Sequence, residues 1–159
     1  MSSPPTGSPI DDAAVTPAPG TVFDGGAGRP EPVPTPDTAP YWEAAARGEL
    51  LLPRCDSCTR PHFYPRPVCP LCGNTDLTWT AMSGHATLHS YVLSHRRAPG
   101  FTTPIVIAVV ELAEGPRLMS NVVGVDPDPE KLELDMALRV AFERRDTVTV
   151  PVFVPAVTS

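Results

Sequence analysis

Residues 54–73 read RCDSCTRPHFYPRPVCPLCG and contain all four cysteines of the 159-residue chain, arranged as two Cys-x-x-Cys pairs. Two cysteines three positions apart on a tight turn can point both sulfurs at one ion. Two such turns facing each other supply the four thiolates of a tetrahedral Zn²⁺ shell. We therefore predict a zinc ribbon whose metal ligands are Cys55, Cys58, Cys69 and Cys72. A shell of four cysteines has no open position, so the zinc is expected to be structural.

Two other uses of the cysteines are less well supported. Disulfides or unrelated buried thiols are disfavoured, because no secretory pattern accompanies the closely spaced pairs. Iron is the second choice of metal, since Cys69-Pro70-Leu71-Cys72 looks like a rubredoxin knuckle. The interval from Cys58 to Cys69 is nevertheless too short to hold a rubredoxin body, and this favours zinc.

The charge and hydropathy of the chain limit its partners. Its formal net charge is −6, with a pI near 5.1, and Lys131 is its only lysine. A protein that follows a phosphate backbone normally has an excess of basic residues, so we predict no nucleic-acid partner. The sequence has no leader-like apolar segment and no apolar run of membrane-spanning length, so we predict a cytoplasmic protein without a membrane partner.

The composition divides the chain into three parts. Residues 1–38 are rich in Pro, Gly, Ser and Thr and contain few large apolar side chains, so we predict a disordered or extended tail. Residues 39–82 are expected to form an N-terminal helix and the zinc ribbon. Residues 83–156 are expected to form a β-barrel domain.

A short helix is predicted just before the ribbon. Asp37 or Thr38 can cap it, Pro40 suits its first turn, and Gly48 can end it in a left-handed conformation. So short a helix is unstable alone. We therefore expect Tyr41 and Trp42 to dock it, either on this protein or on a partner.

The ribbon strands flank the cysteines. Residues 49–54 read as a strand that leads into the first pair, 61–67 as an extended return, and 74–82 as an edge strand. His62 could replace a thiolate, but four cysteines already complete the shell. It is therefore interpreted as a flanking residue.

Five strand-like segments follow the ribbon: residues 85–95, 104–112, 117–125, 138–142 and 148–154. The second is the most apolar and is expected to be buried on both faces. Residues 126–132 are predicted to form a single helical turn between the third and fourth strands. This order predicts a mainly β protein whose second part is a five-stranded OB-fold barrel, a small Greek-key barrel that binds through its loops.

The combination resembles one family over about residues 41–153. It is the zinc-ribbon and OB-fold family of acyl-CoA-associated proteins, catalogued as domain of unknown function thirty-five. The motifs that carry the resemblance are Tyr41-Trp42-Glu43, Gly48-Glu49-Leu50, the two cysteine pairs, Trp79, Ser83-Gly84, Pro104 to Leu112 and Leu134-Asp135-Met136. Thr59 and Asp135 depart from the family pattern, because both stand where the family usually has glycine.

The resemblance implies an accessory subunit rather than an enzyme. Members of the family look like obligate companion subunits of thiolase-fold proteins. Those thiolase-fold proteins include thiolases, acyltransferases and lipid-transfer-protein-like aldolases that cleave steroid side-chain CoA thioesters. Some are fused to hot-dog-fold hydratases. The resemblance therefore implies a hetero-oligomer in lipid or steroid metabolism, with acyl-CoA as a possible ligand and chemistry left to the partner.

The residues themselves suggest where a CoA could be held. Arg96 and Arg97 follow the first barrel strand, and Arg144 and Arg145 follow the fourth. A guanidinium can bind a phosphate through two parallel hydrogen bonds. These four arginines are therefore candidate CoA-phosphate ligands, although solvated loop arginines would have the same pattern.

Two other functions remain open. A nucleic-acid module is conceivable because zinc ribbons and OB barrels often serve as one, but the charge opposes it. An independent thioesterase could use His85, His89 or His95 as a base, and His89 precedes Ser90. Adjacent strand residues face opposite sides and no acidic partner is evident, so we predict no catalytic residue in this chain alone.

Overall fold

A computed structural model describes residues 18–156 of the chain. The one helix in this part of the chain is α1, Ala39–Ala46. The eight strands are β1 Val22–Asp24, β2 Leu51–Cys55, β3 Leu77–Ala81, β4 His85–Ser94, β5 Ile105–Leu112, β6 Arg117–Asn121, β7 Ala137–Arg144 and β8 Thr149–Pro155. The prediction of a mainly β protein with a single short helix is confirmed.

α1 forms where the sequence predicts it, but its N-terminus is capped differently. Thr38 is the N-cap residue, yet its hydroxyl makes no capping hydrogen bond and instead accepts one from the Thr35 N–H, 2.9 Å away. Pro40 lies in the first turn, and Gly48 follows the helix at φ +78°. The helix packs on β2, β7 and β8 and so joins the two parts of the molecule.

The ribbon is built on a two-stranded antiparallel sheet. β2 pairs with β3 from Leu51 opposite Ala81 to Cys55 opposite Leu77. The predicted extended return over residues 61–67 makes one isolated bridge, between Arg54 and Pro61. β3 therefore emerges beside the first cysteine pair and leads through Ser83-Gly84 into the barrel.

The other six strands form a curled sheet in the order β1-β7-β4-β5-β6, with β8 on the opposite edge of β7. Contacts between the ends of β6 and β8 close the barrel: Val122 bridges Phe153, and Ser120 Oγ donates to the Pro151 carbonyl at 2.9 Å. This arrangement confirms the predicted OB-fold. β6 ends at Asn121, before the predicted end at Val125, because the chain turns there to meet β8.

Two sequence expectations in the barrel are wrong. β5 alternates along its length, with Val106, Ala108 and Val110 buried and the residues between them only half-buried. An antiparallel barrel strand faces the core on one side, so it is not buried on both. Residues 126–132 contain a turn at 129–131 and no helix, because Asp126 and Asp128 each precede a proline and are biased away from the helical conformation. The Lys131 N–H donates to the Asp128 carbonyl, and Leu132 is buried beneath the loop.

The chain before α1 contributes a strand that the sequence did not predict. β1 lies parallel to β7, with Val22 opposite Phe142 and Asp24 opposite Arg144. β4 pairs with the first residues of β7, at 137–139, and β1 fills the space beside residues 142–144. We call residues 20–31 the strap. The rest of the predicted tail before Ala18 lies outside the described residues.

The main hydrophobic core runs from α1 and the ribbon into the barrel. It includes Tyr41 and Leu52 from the first part, and Leu88, Phe142 and Phe153 from the barrel. A smaller cluster of Ala141, Val152 and Val154 lies apart from it, with Phe23 packed against this cluster. Among residues 18–156 no helix is both long enough and apolar enough to cross a membrane.

Candidate metal centre and apolar cleft

The two cysteine pairs lie on turns with the same hydrogen-bond pattern. The Cys55 N–H donates to the Arg60 carbonyl at 3.1 Å, and the Cys69 N–H donates to the Asn74 carbonyl at 2.8 Å, five residues further along in each case. The residue after each pair has a left-handed conformation, Thr59 at φ +61° and Gly73 at φ +78°. The knuckles thus have equivalent geometry, although only the second has glycine at the left-handed position.

The four sulfurs converge on one point. All lie within 4.8 Å of one another; Cys55 Sγ is 3.5 Å from Cys72 Sγ, and Cys58 Sγ is 3.7 Å from Cys69 Sγ. A tetrahedron of Zn–S bonds of about 2.3 Å requires S···S distances of about 3.8 Å, so the cluster fits this metal. Among the described residues it is the only group of three or more His, Cys, Asp or Glu side chains that could hold an ion.

The protein environment favours the thiolate form at one ligand. Hydrogen bonds lower the pKa of Cys58 to about 6, chiefly the backbone hydrogen bond with Arg60, with smaller contributions from the other three thiols. Cys55 and Cys69 are buried, whereas Cys72 is exposed. Four sulfurs complete the tetrahedral coordination of an ion at such a site, so no coordination position is left open for a substrate.

His62 lies outside the ligand cluster, in agreement with its interpretation as a flanking residue. It is only 4% exposed, and neither ring nitrogen has a hydrogen-bond partner in the described chain. Burial lowers its pKa, so the ring stays neutral at pH 7.

A second feature is an apolar cleft of about 520 Å³ between the helix–ribbon part and one end of the barrel. Trp42 and Phe63 lie on one side, and Ile105, Ile107 and Met119 on the other. The β4–β5 loop, residues 95–104, contributes Arg96, Arg97 and Phe101. The volume of the cleft is in the range of small-molecule sites, about 300–1,000 Å³.

The four predicted CoA-binding arginines lie in two different places. Arg96 and Arg97 line the cleft together, whereas Arg144 and Arg145 do not. Arg144 pairs with Asp24 at 2.9 Å, and Arg145 pairs with the buried Glu143 at 3.1 Å. The second pair of arginines therefore holds the strap.

The two predicted docking residues also differ. Tyr41 is 4% exposed and packs against Trp42, Phe63 and Tyr64, with centroid distances of 4.7, 5.9 and 6.4 Å. Burial raises the pKa of its phenol. Trp42 is half-buried, so the docking role stays a prediction for Trp42 alone.

The residues considered for catalysis do not form a catalytic group. Strand β4 has a bulge between Leu88 and Ser90, so His89 and Ser90 are both exposed and do not follow strict alternation. No hydrogen bond joins them within residues 18–156. His85 Nε2 instead lies 2.7 Å from Arg139 Nη1, and no carboxylate orients the ring.

Sequence reasoning missed the buried Glu143 and its strap partner Arg29. Glu143 lies in the β7 segment, where the alternation of apolar residues predicts an outward position, and Arg29 lies in a Pro/Gly-rich segment. The adjacent apolar pair Val22-Phe23 was the only local signal that this segment packs on the barrel.

Two family models match the chain. The rubredoxin-like zinc ribbon domain of ChsH2 matches residues 42–78, and the C-terminal OB-fold domain of ChsH2 matches residues 79–143. Together they cover the ribbon and the barrel through most of β7, whereas β8 and the strap lie outside the matched residues.

Three relatives are similar in sequence. A probable enoyl-CoA hydratase alpha subunit of Thermomonospora curvata is 39% identical over 131 residues, which are 81% of this chain and 40% of the relative. The 3-oxo-4,17-pregnadiene-20-carboxyl-CoA hydratase alpha subunit of Mycobacterium tuberculosis is 32% identical, over 67% of this chain and 33% of the relative. A DUF35 domain-containing scaffold protein of Methanocaldococcus jannaschii is 32% identical, over 60% of this chain and 68% of the relative. The chain thus spans well under half of either hydratase subunit.

One solved structure is similar over its whole length. A chain of the structure described as the Ltp2-ChsH2(DUF35) aldolase is 37% identical and superposes with a TM-score of 0.72, covering 80% of this chain and 100% of that chain.

Proposed function

The chain belongs to the DUF35 family, whose members join a rubredoxin-like zinc ribbon to an OB-fold domain, and we propose that it is a non-catalytic accessory subunit of an acyl-CoA-processing complex. Its catalytic partner would be a thiolase-fold protein, of the lipid-transfer-protein-like aldolase, thiolase or acyltransferase type. The main support is the similarity over a full chain of the Ltp2-ChsH2(DUF35) aldolase. A hot-dog-fold hydratase is a further candidate partner, since two relatives are hydratase alpha subunits.

In this proposal the metal is Zn²⁺ and its role is structural. The four sulfurs have the spacing of a closed thiolate shell, and such an ion lends folding energy to a ribbon too small to be stable alone. Zinc would fix the two knuckles relative to each other. No chemical step passes through it.

The ribbon presents the surface proposed for docking. Val68 and Leu71, on the second knuckle, are 44% and 50% exposed, and Tyr64 before them is 38% exposed. Large exposed apolar side chains that lie together commonly mark a protein interface. Because the metal holds the second knuckle, the shape of this surface depends on the ion.

The cleft is proposed to enclose part of an acyl-CoA. Its apolar walls suit an acyl or pantetheine chain, and Arg96 and Arg97 could bind the phosphates. The substrate class would be a lipid or steroid acyl-CoA, which is consistent with the substrate named for the M. tuberculosis relative. The reacting groups would come from the partner.

The test is reconstitution with the catalytic subunit of the Ltp2-ChsH2(DUF35) aldolase and with a panel of other thiolase-fold proteins. Size-exclusion chromatography with light scattering should show a hetero-oligomer with at least one of them. Leu71→Asp should abolish the complex, while Val33→Asp, at an 84%-exposed site outside the ribbon, should not. A chain that stays monomeric with every such partner would contradict the proposal.

The isolated chain discriminates the other two functions. It should hydrolyse no acyl-CoA in a panel of chain lengths, and it should not bind single-stranded DNA at low salt. Hydrolysis that survives removal of every partner would make it an enzyme. Tight, salt-sensitive DNA binding would make it a nucleic-acid module.

A further inference from the structure

The strap is attached to β7 by backbone and side-chain contacts along its length. The Gly20 N–H donates to the Val140 carbonyl at 2.7 Å, and the Gly26 N–H donates to the Arg144 carbonyl at 3.1 Å. The Glu31 carboxylate then accepts from the Val148 N–H at 2.9 Å. The strap is therefore part of the barrel rather than a loose extension.

One strap side chain reaches beyond β7 to the cleft loop. Arg29 Nε donates to the Gly100 carbonyl at 3.0 Å, and the guanidinium lies 4.1 Å from the centroid of the Phe101 ring. The same guanidinium forms an ion pair with Glu143 on β7. Arg29 thus connects three segments: the strap, β7 and the β4–β5 loop.

The burial of Glu143 explains why Arg29 keeps this position. Glu143 is only 1% exposed, and a buried carboxylate is costly unless it is paired. Its two cationic partners are Arg29 and Arg145, whose side chains are 18% and 10% exposed. Both guanidiniums also approach Phe101, Arg145 at 5.9 Å from the ring centroid.

Close backbone packing reinforces the connection. A Cβ at Gly100 would lie 2.8 Å from Arg29 Cγ and 2.9 Å from the Arg29 nitrogen. A Cβ at Gly26 would lie 2.5 Å from Arg145 Cγ. Side chains at either position would push the strap away from the loop or from β7.

The β4–β5 loop has few other attachments. The β4–β5 ladder ends at Ser94 opposite Ile105, and the Phe101 N–H bonds within the loop, to the Ala98 carbonyl at 3.1 Å. In the described chain the bond from Arg29 is the only side-chain hydrogen bond that reaches residues 96–103 from outside the loop. This loop carries Arg96, Arg97 and Phe101 into the cleft.

We propose that Arg29 is a positioning residue of the cleft: it holds the β4–β5 loop in place, and with it the two arginines and the aromatic ring that face an anionic, apolar ligand. Arg29 does not line the cleft and acts through Gly100 and Phe101. The ligand part of this inference depends on the proposed acyl-CoA role, whereas the positioning of the loop does not.

Hydrogen exchange of the full chain tests the positioning directly. Arg29→Lys keeps a cation beside Glu143 but loses the planar contact with Phe101 and the fixed bond to Gly100, so the fold should survive. We expect exchange of the Phe101 amide, which is hydrogen-bonded within the loop, to become about tenfold faster, with the barrel strands unchanged. Asp24→Asn, which removes the exposed pair with Arg144, is the matched control and should leave the loop unchanged.

Titration with dodecanoyl-CoA tests the consequence for binding. Arg29→Lys and Phe101→Leu should each weaken binding several-fold relative to wild type and Asp24→Asn. Unchanged loop exchange in Arg29→Lys would overturn the inference, and so would an equal acceleration throughout the barrel, which would indicate a purely structural role. If wild type bound no dodecanoyl-CoA but the loop exchange rose as expected, the proposed ligand would be wrong and the positioning role would stand.

Discussion

Thr59 occupies a backbone conformation that suits glycine, so Thr59→Gly should make the metal-bound ribbon more stable. Its φ is +61°, it carries a β-branched side chain, and it directly follows the candidate ligand Cys58. A left-handed conformation costs an L-residue about 1–2 kcal/mol. Glycine removes this strain but loses about 0.5–1 kcal/mol through the greater freedom of the unfolded chain. The net gain expected is about 0.5–1 kcal/mol.

The gain should appear as metal affinity, because the ribbon forms its site as it folds around the ion. Competition with a chelator should show zinc bound about two- to fivefold more tightly by Thr59→Gly, by the conversion of 1.4 kcal/mol per factor of ten. Thr102→Gly is the control: Thr102 is exposed and is not among the residues with positive φ, so glycine there should be neutral or destabilising. Equal zinc affinity in Thr59→Gly and wild type would refute the reasoning.

Three further predictions concern the barrel and the strap. Gly84→Ala should lower the free energy of unfolding by more than about 2 kcal/mol, because Gly84 has φ +77° and a Cβ would lie 2.5 Å from Val140 Cγ1. Its control is Gly73→Ala, at φ +78° with nothing within 4 Å of the added Cβ, which should show only the left-handed cost of about 1–2 kcal/mol. Equal losses of stability in urea unfolding would contradict the clash at Gly84. Phe153→Ala, at a fully buried core position, should cost about 3–5 kcal/mol in the same assay, and a loss under about 1 kcal/mol would mean that the barrel core is not packed as described. The pKa of Glu31 is lowered chiefly by the backbone hydrogen bond from Thr147, so the carboxylate should stabilise the fold above pH 4.5 and lose this effect as the pH falls through its folded-state pKa. Glu31→Gln should lack this part of the dependence of unfolding free energy on pH. Parallel pH profiles for the variant and wild type would count against the contact.

The parts of the fold that the sequence predicts are those set by local pattern. The two Cys-x-x-Cys pairs predict the knuckles because the ligand spacing is itself the geometry. Alternation predicts that β7 and β8 are strands, although it does not predict that their central residues, 140–143 and 151–154, are buried on both faces. The family resemblance also identifies positions 59 and 135 as glycine sites, and both have positive φ here, +61° and +64°.

The parts that the sequence does not predict depend on long-range contacts. β1 has only three residues and exists because β7 has an unpaired edge beyond its contact with β4. From the sequence alone Glu143 is expected to be a solvent-exposed strand residue. Only the folded structure brings Arg29, 114 positions earlier, into contact with it. Arg144 and Arg145 likewise resemble the loop pair Arg96 and Arg97 in sequence, and only the folded strap distinguishes their roles.

The most direct test of the central claim is to remove the metal from the reconstituted complex. A strong chelator, added to this chain in complex with the proposed thiolase-fold partner, should release zinc and dissociate the complex, and added zinc should restore it. Cys55→Ser should behave like the chelated protein. If zinc left while the complex stayed intact and only activity disappeared, the metal would be part of the chemistry, and its role as the support of a docking ribbon would be wrong.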